Sequence, residues 1–498
     1  MLQIVYKMKK QQMKKQLIVF MMCLATFALS AQELSTSNSI IAPELLKDDL
    51  EVLKTNWEQL HGAFYLYSSK EEIDTKFEEI ASKIGEGMTS IEFYRLTAPL
   101  LKLIGNGHTH IVPSKLFYQS MRKEMKYFPI DLYLDKGQVY VLKNNSDTEE
   151  VKQGDIVKSI NGQEAIVLIK SIADGLTRDG VNETWPMTRA TKRFSEFYIF
   201  NFGDSEKYEI EIEDLNGNTT RYSLVGKTKT EVDSMRIEKY GDTKNWVELK
   251  DPAYTLEIEG RTAIMTLRTF SQKEIKKYNK VRSKKWFEDA FTQINQAGVE
   301  SLIIDMRGNG GGDEEPTIEL FSHLHDKEFQ FYKDVYLEER KIPNGKLYED
   351  NIFLLNIYAK LVTKKKDDKF ILKSKGLKSY PPAKEQFGGK VIVLTDAASF
   401  SATGEMTAIL KEHDRAIFVG EEAGGNPNQN TSGAMLILNL PHSGLRAIVP
   451  VVVYEMNVTF PNTGRGVIPD YELKNSINDE INGVDGVMKF AKRLAVER

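Results

Sequence analysis

The 498-residue chain has a single cysteine, Cys23, and it lies in an apolar stretch close to the N-terminus. Disulfides cannot scaffold this fold, and cysteine metal sites and thiolate chemistry are excluded once that stretch is removed. Charge of one sign is also scarce: 67 Lys and Arg stand against 71 Asp and Glu, for a net charge of −4. No basic excess exists to hold nucleic acid or an anionic membrane. The densest basic run, Lys364-Lys365-Lys366, is followed at once by Asp367-Asp368 and reads as a solvated turn. Histidines number 7, and none forms a His-Glu-x-x-His helix pattern. His323-x-His325-Asp326 holds a close pair without further metal-ligand spacing, while His61, His413 and His442 read as surface or packing residues. Neither a metal nor a cofactor is expected. Internal repeats and low-complexity tracts are absent as well.

Long hydrophobic runs are limited to Leu17–Leu29, preceded by Lys9-Lys10 and Lys14-Lys15 and followed by Ser30-Ala31 and then Gln32-Glu33. The run is short for a spanning helix. Its flanks are those of a secretory signal cut after Ala31. Residues 1–31 are therefore expected to be a signal peptide, and the protein to be exported to a periplasmic or extracellular space without a stable membrane span.

Beyond it the spacing predicts helices. Leu46, Leu50, Leu53, Trp57 and Leu60 share one helical face, as do Ile73, Phe77, Ile80 and Ile84. Thr89-x-x-Glu92 reads as a capping box opening a third helix, bent or stopped near Pro99 and ended by Gly105. A polar turn follows, Gly105-Asn106-Gly107-His108-Thr109-His110.

The C-terminal half alternates strand and helix signals, as a layered α/β domain does. Two blocks in it suggest chemistry. Ser301-Leu302-Ile303-Ile304-Asp305 reads as a buried strand leading into Met306-Arg307-Gly308-Asn309-Gly310-Gly311-Gly312. That glycine cluster lets backbone amides approach a ligand. It lacks the Gly-Lys-Ser/Thr of a phosphate loop, and Asp313-Glu314-Glu315 next to it would repel phosphate. Val391–Thr395 is a second buried strand, running into Ser399-Phe400-Ser401-Ala402-Thr403-Gly404-Glu405 and a helix. A serine at such a junction can serve as a nucleophile under the positive end of the helix, or merely as its cap. Between about His325 and Gly388 the pattern weakens and reads as an insertion over the active site.

These blocks, followed by Gly420-Glu421-Glu422-Ala423-Gly424-Gly425 and Gly466-Val467-Ile468-Pro469-Asp470, resemble the C-terminal processing (tail-specific) serine peptidase family. Its broader group includes the tricorn protease core and the interphotoreceptor retinoid-binding protein modules. The resemblance implies an α/β multidomain fold: an N-terminal helical segment over 32–125, a PDZ-like module over 126–228, and a crotonase-like spiral of ββα units as the catalytic domain over 229–498. Val151–Gly162, with Gly154-Asp155-Ile156 and Ile160-Asn161-Gly162, is similar to the core of PDZ modules. Phe128–Leu134 is then the candidate peptide-binding edge, and Asn216-Gly217 the closing hairpin turn.

The resemblance also implies the site. Ser401 takes the place of the nucleophile, with Ala402 and Gly310 or Gly311 as oxyanion donors. Where tail-specific peptidases carry a dyad lysine, this chain has Asn426, which cannot accept a proton. The tricorn-like branch draws its base from a Gly-x-x-His turn upstream, and His108 matches that place, whereas His110 does not. A free imidazole titrates near neutral pH and suits the role. The branch's serine before the histidine is Gly107 here, and its late glutamate is Thr463. The orienting partner of His108 is thus open, with Glu405 and Glu455 as candidates. The expected function is an exported serine endopeptidase or C-terminal processing peptidase, acting on peptide or protein substrates through an acyl-enzyme. The alternative is a catalytically inactive relative that binds peptides or apolar ligands.

Overall fold

The computed structural model describes residues 39–241 and 252–497. The apolar run Leu17–Leu29, Cys23 and the cleavage point after Ala31 lie outside the described residues. Among those described, no helix is long and apolar enough to cross a membrane.

The fold is mixed α/β, with a helical N-terminal region. Helix Pro43–Leu60 buries Leu46, Leu50, Leu53, Trp57 and Leu60, and helix Lys70–Lys83 buries Ile73, Phe77 and Ile80. Thr89 caps helix Ser90–Thr97 in a reciprocal box with Glu92, which satisfies two otherwise orphaned N–H groups. Pro99 interrupts the run and starts the short helix Leu100–Ile104, which ends at Gly105 with φ 61°. A left-handed residue here turns the chain sharply into the His108 loop.

A largely parallel sheet forms the C-terminal layer, in the order Tyr471–Glu472, Ile417–Gly420, Lys390–Thr395, Ser301–Asp305, Thr262–Leu267, Tyr254–Glu259. Only the last pair is antiparallel. Strand alternation explains its apolar runs. Leu302, Ile304, Val391 and Val393 enter the main core, while Ile303, Ile392 and Leu394 pack under helix Gly486–Val496 with Val487, Ala491 and Leu494. Both faces are covered, as parallel strands require. The glycine block, the Ser401 turn and the Gly420–Gly425 block all leave the carboxyl ends of adjacent parallel strands, where ligand sites of such sheets lie.

A second, antiparallel sheet runs His110–Val112, Arg446–Met456, Tyr332–Leu337, Lys369–Leu372, Thr363–Lys366, with Gln429–Asn439 also on Arg446–Met456. Two sequence expectations are corrected here. The segment after His325 is an integral part of this sheet, because Tyr332–Leu337 pairs with Arg446–Met456. Lys364–Lys366 lie on an edge strand, and the turn falls at Asp367 with φ 53°; charged lysines protect such an edge from further pairing.

Between the helical region and the parallel sheet lies a third, antiparallel sheet: Ile130–Asp135, Gln138–Asn144, Ile156–Ile160, Lys207–Glu213, Thr219–Val225. Ile130–Asp135 is its edge strand, flanked by helix Thr184–Lys192. The final hairpin turns at Gly217, φ 82°, with the Asp214 carboxylate accepting from the N–H groups of Asn216 and Asn218.

Candidate active site

The Ser401 turn is held by its neighbours before any chemistry is considered. Asp396 Oδ1 accepts from the N–H of Gly308 and of Ala398, at 2.9 and 3.0 Å, binding the glycine block to the serine turn. Ser399, fully buried, donates to Met306 O and accepts from Asp396 N–H, each at 3.0 Å. Its hydroxyl is committed to structure. Ser401 differs: it takes φ 56°, ψ −125° immediately before helix Ala402–Glu412. A non-glycine residue in that region is strained and persists only where its surroundings enforce it, as at the serine elbow of other hydrolases. Ser401 Oγ lies 3.2 Å from His108 Nε2.

Of the backbone donors near Ser401, the Gly311 N–H is bound to Asn309 Oδ1 at 2.9 Å. A Cβ at Gly311 would sit 2.7 Å from Phe400 O and 2.8 Å from Ala402 N, and its φ is +98°. Gly311 is therefore a packing glycine that lets the block press against the Ser401 turn. The N–H groups of Gly310 and Ala402 have no intramolecular partner among the described residues.

His108 reaches the serine from almost 300 residues away in sequence because its turn is clamped on several sides. The strand after it pairs with the second sheet, His110 opposite Ile448 and Val112 opposite Arg446. Asp179 accepts from Gly107 N–H at 2.6 Å and from Asn426 N–H at 3.1 Å, joining the histidine turn to the Gly425-Asn426 turn. Burial pushes the Asp179 carboxyl up to about 6, against the two N–H bonds that pull it down. His61 completes the clamp. Its Nδ1 accepts from Ala63 N–H, leaving Nε2 to donate to Thr109 Oγ1 at 2.6 Å. Thr109 donates to Asn106 Oδ1, which also accepts from His108 N–H at 3.1 Å. In the sequence His61 stands isolated; only the fold places it behind the turn.

Gly107 has its own reason. A Cβ there would lie 2.5 Å from the Phe400 ring and 3.0 Å from Asp179 Oδ2. The serine of the tricorn-like pattern has no room. Phe400 instead packs on the His108 ring, with centroids 4.7 Å apart, and Trp185 stacks on Phe400. Burial lowers His108 to about 4, so it is neutral at physiological pH and its ionisation lies well below that of a free imidazole. Its Nδ1 is buried without a partner among the described residues.

Neither candidate orienter reaches it. Glu405 accepts from Tyr332 Oη–H and Asn430 Nδ2–H, both at 2.6 Å, and burial raises its carboxyl. Glu455 meets Tyr336 and Lys369. No motif singled out Asn430, yet its amide lies 3.5 Å from Ser401 Oγ. Asn426, at the place of the dyad lysine, donates to Tyr67 and is buried away from a basic role. Lys411 lies over the Phe460 ring, and Thr463 is exposed. His323 Nδ1 meets Glu385 O, His325 and His413 pack together, and no metal-binding group occurs among the described residues.

Residues 261–473 match the profile of peptidase family S41. Those residues are an S41 serine-peptidase domain. No curated protein sequence matches it significantly. Among solved structures, mature CPAF is 14% identical, with 91% of this chain and 97% of that chain covered at a TM-score of 0.60. CPAF complexed with lactacystin gives 14%, 91%, 98% and 0.60, and a serine-to-alanine CPAF variant 13%, 91%, 96% and 0.63. At these identities the likeness is one of fold.

In the S41 domain the Asp-x-Arg motif is structural. Burial alone would raise Asp305, yet Arg307 and Arg268 hold it below the ordinary carboxylate range. Arg307 bridges Asp305 and Asp485 through paired bonds of 2.7 to 3.0 Å. Glu422 likewise grips Arg465 and Gly466 N–H. Ser401 and His108 open on a cleft of about 1930 Å³ between the S41 domain, the helical region and the third sheet, reaching Ile130–Leu132 on the sheet edge.

Proposed function

We propose that this serine peptidase hydrolyses peptide bonds through an acyl-enzyme on Ser401, with His108 as general base. The observation that carries the reading is the 3.2 Å approach of His108 Nε2 to Ser401 Oγ. Neutral His108 takes the serine proton as Oγ attacks the scissile carbonyl, and returns it to the leaving amine. Among the described residues the N–H groups of Ala402 and Gly310 face no intramolecular partner, and both residues line the cleft with Ser401; these groups receive the oxyanion, with the helix N-terminus adding positive potential. We read the site as a Ser–His dyad, nearer the tricorn-like pattern than the Ser–Lys one; that Nδ1 has no partner among the described residues supports a dyad rather than a triad. Among the described residues no carboxylate steadies the imidazolium, and turnover should be slow for that reason.

The third sheet acts as a PDZ-like module. Its edge strand Ile130–Asp135 lies along the cleft, where an extended peptide, including a substrate C-terminus, can add as a strand. Domain limits near 125 and 228 follow from it. The chain is exported after cleavage at Ala31; mass spectrometry should find the mature N-terminus near Gln32, and an intact cytosolic chain would refute this.

The central test is a pair of variants. Ser401→Ala should abolish hydrolysis of an unstructured peptide and labelling by a fluorophosphonate, with folding unchanged. Ser399→Ala should still be labelled, although loss of its two buried bonds lowers stability by about 1–3 kcal/mol. Activity surviving in the Ser401 variant would overturn the assignment.

A further inference from the structure

Far from the catalytic chemistry, helix Ile352–Val362 turns an apolar face to solvent. Contacts on its other side fix its rotation. Ile352 is buried, Leu355 and Ala359 pack on the main core, and Asn356 Oδ1 accepts from Ile342 N–H at 2.8 Å. At about 100° per residue, the opposite arc of roughly 140° carries Phe353, Leu354, Ile357, Tyr358 and Leu361 and no charged side chain. All five are exposed, Phe353 and Leu361 by 74% and 75%. A surface helix ordinarily presents polar side chains there. From the roughly 150–250 Å² of a full aromatic side chain, the bare face is on the order of 500 Å², the size at which an apolar patch marks an interaction site.

Where this face ends, lysines begin. Lys360 sits at its rim. Thr363 bonds back to Ala359 O at 2.6 Å and passes the chain directly into Lys364, Lys365 and Lys366 on the edge strand. Lys373 N–H meets Val362 O at 3.3 Å, which holds it against the same helix terminus. None of these five ammonium groups has a hydrogen bond or ion pair among the described residues. From Ile352 to Lys373 six lysines stand against Asp367 and Asp368, a charge of +4 within a chain of −4. The balanced total conceals a local basic excess.

We propose that this helix and the lysines at its end dock the protein on an anionic phospholipid surface. The five apolar side chains enter the acyl boundary, and the lysines, their stems along the apolar face, meet headgroup phosphates. The helix lies on the bilayer; its 11 residues, about 16 Å long, are too few to span it. Two observations favour lipid over a second copy of the chain. The face offers on the order of 500 Å², against about 800 Å² per partner in a standard stable interface. The unpaired lysines call for negative charge, which an identical apolar face does not supply.

Vesicle sedimentation tests this on the chain from Gln32, which holds every described residue and lacks the apolar run Leu17–Leu29. Vesicles of equimolar phosphatidylcholine and phosphatidylglycerol should be bound at least about tenfold more tightly than phosphatidylcholine alone, with the gap narrowing as salt rises. Replacing Lys364, Lys365 and Lys366 together by glutamine should weaken binding to the anionic vesicles on the order of a hundredfold at low salt, about fivefold for each lysine. Phe353→Ser with Leu361→Ser should abolish binding to both. Tyr358→Trp should add a blue-shifted emission with the anionic vesicles. The unfolding midpoint should stay in place throughout, because every altered side chain is exposed. The inference fails if neither vesicle is bound, or if binding survives both the glutamine and the serine substitutions. A dimer that the serine pair turns into a monomer would overturn it too, making the face an interface between copies.

Discussion

Replacing Asp179 by asparagine tests whether the clamp on the His108 turn sets activity. The ionised carboxylate uses both oxygens, one for Gly107 N–H and one for Asn426 N–H. The amide must present NH₂ to one of them, so a buried N–H loses its acceptor and faces another donor. The lost bond is worth about 1–3 kcal/mol. The His108 turn shifts, and a displacement near 1 Å at a reacting group costs on the order of 10²-fold. We expect kcat/KM to fall by about 10- to 100-fold in Asp179→Asn. The pH profile separates this from general damage. In the wild type, activity should fall as pH drops through about 6, where Asp179 takes a proton and its O–H opposes an N–H, well before His108 protonates near about 4. The substituted amide cannot titrate, so the limb near 6 should vanish and the remaining one should move toward 4. The assay is kcat/KM on an uncharged peptide, measured from an acidity below the His108 transition up to mildly alkaline pH. A limb that stays where the wild type has it would show that His108 itself titrates there, and the burial argument for it would be wrong.

Gly107→Ala places a methyl 2.5 Å from the Phe400 ring; the overpacking should cost about 1–3 kcal/mol and reduce turnover by moving Phe400 against His108, read by thermal unfolding and kcat together. Arg307→Ala leaves Asp305 buried with a reduced counter-charge and should cost about 3–5 kcal/mol, a lowered unfolding midpoint without any change in the pH limb.

Local elements were legible in the chain alone. Val391–Thr395 and Ser301–Asp305 read as strands because both faces are apolar, and each is buried on both sides. Thr89-x-x-Glu92 and Gly105 marked a helix start and stop because capping chemistry is local. The resemblance singled out Ser401 rather than Ser399, and the φ of 56° at Ser401 with the committed hydroxyl of Ser399 supports the proposal that Ser401 is the nucleophile. What the chain could not disclose was anything carried by contacts distant in sequence. His61, Asp179 and Asn430 lie in no motif, since hydrogen bonds spanning 48, 72 and 29 residues leave no periodicity to read. The segment after His325 read as an insertion because Tyr332–Leu337 finds its partner strand far downstream, at Arg446–Met456. The ionisation of His108 belongs to the same class: an imidazole's pKa depends on the solvent it loses, and only the packing of Phe400 and the surrounding turns removes that solvent.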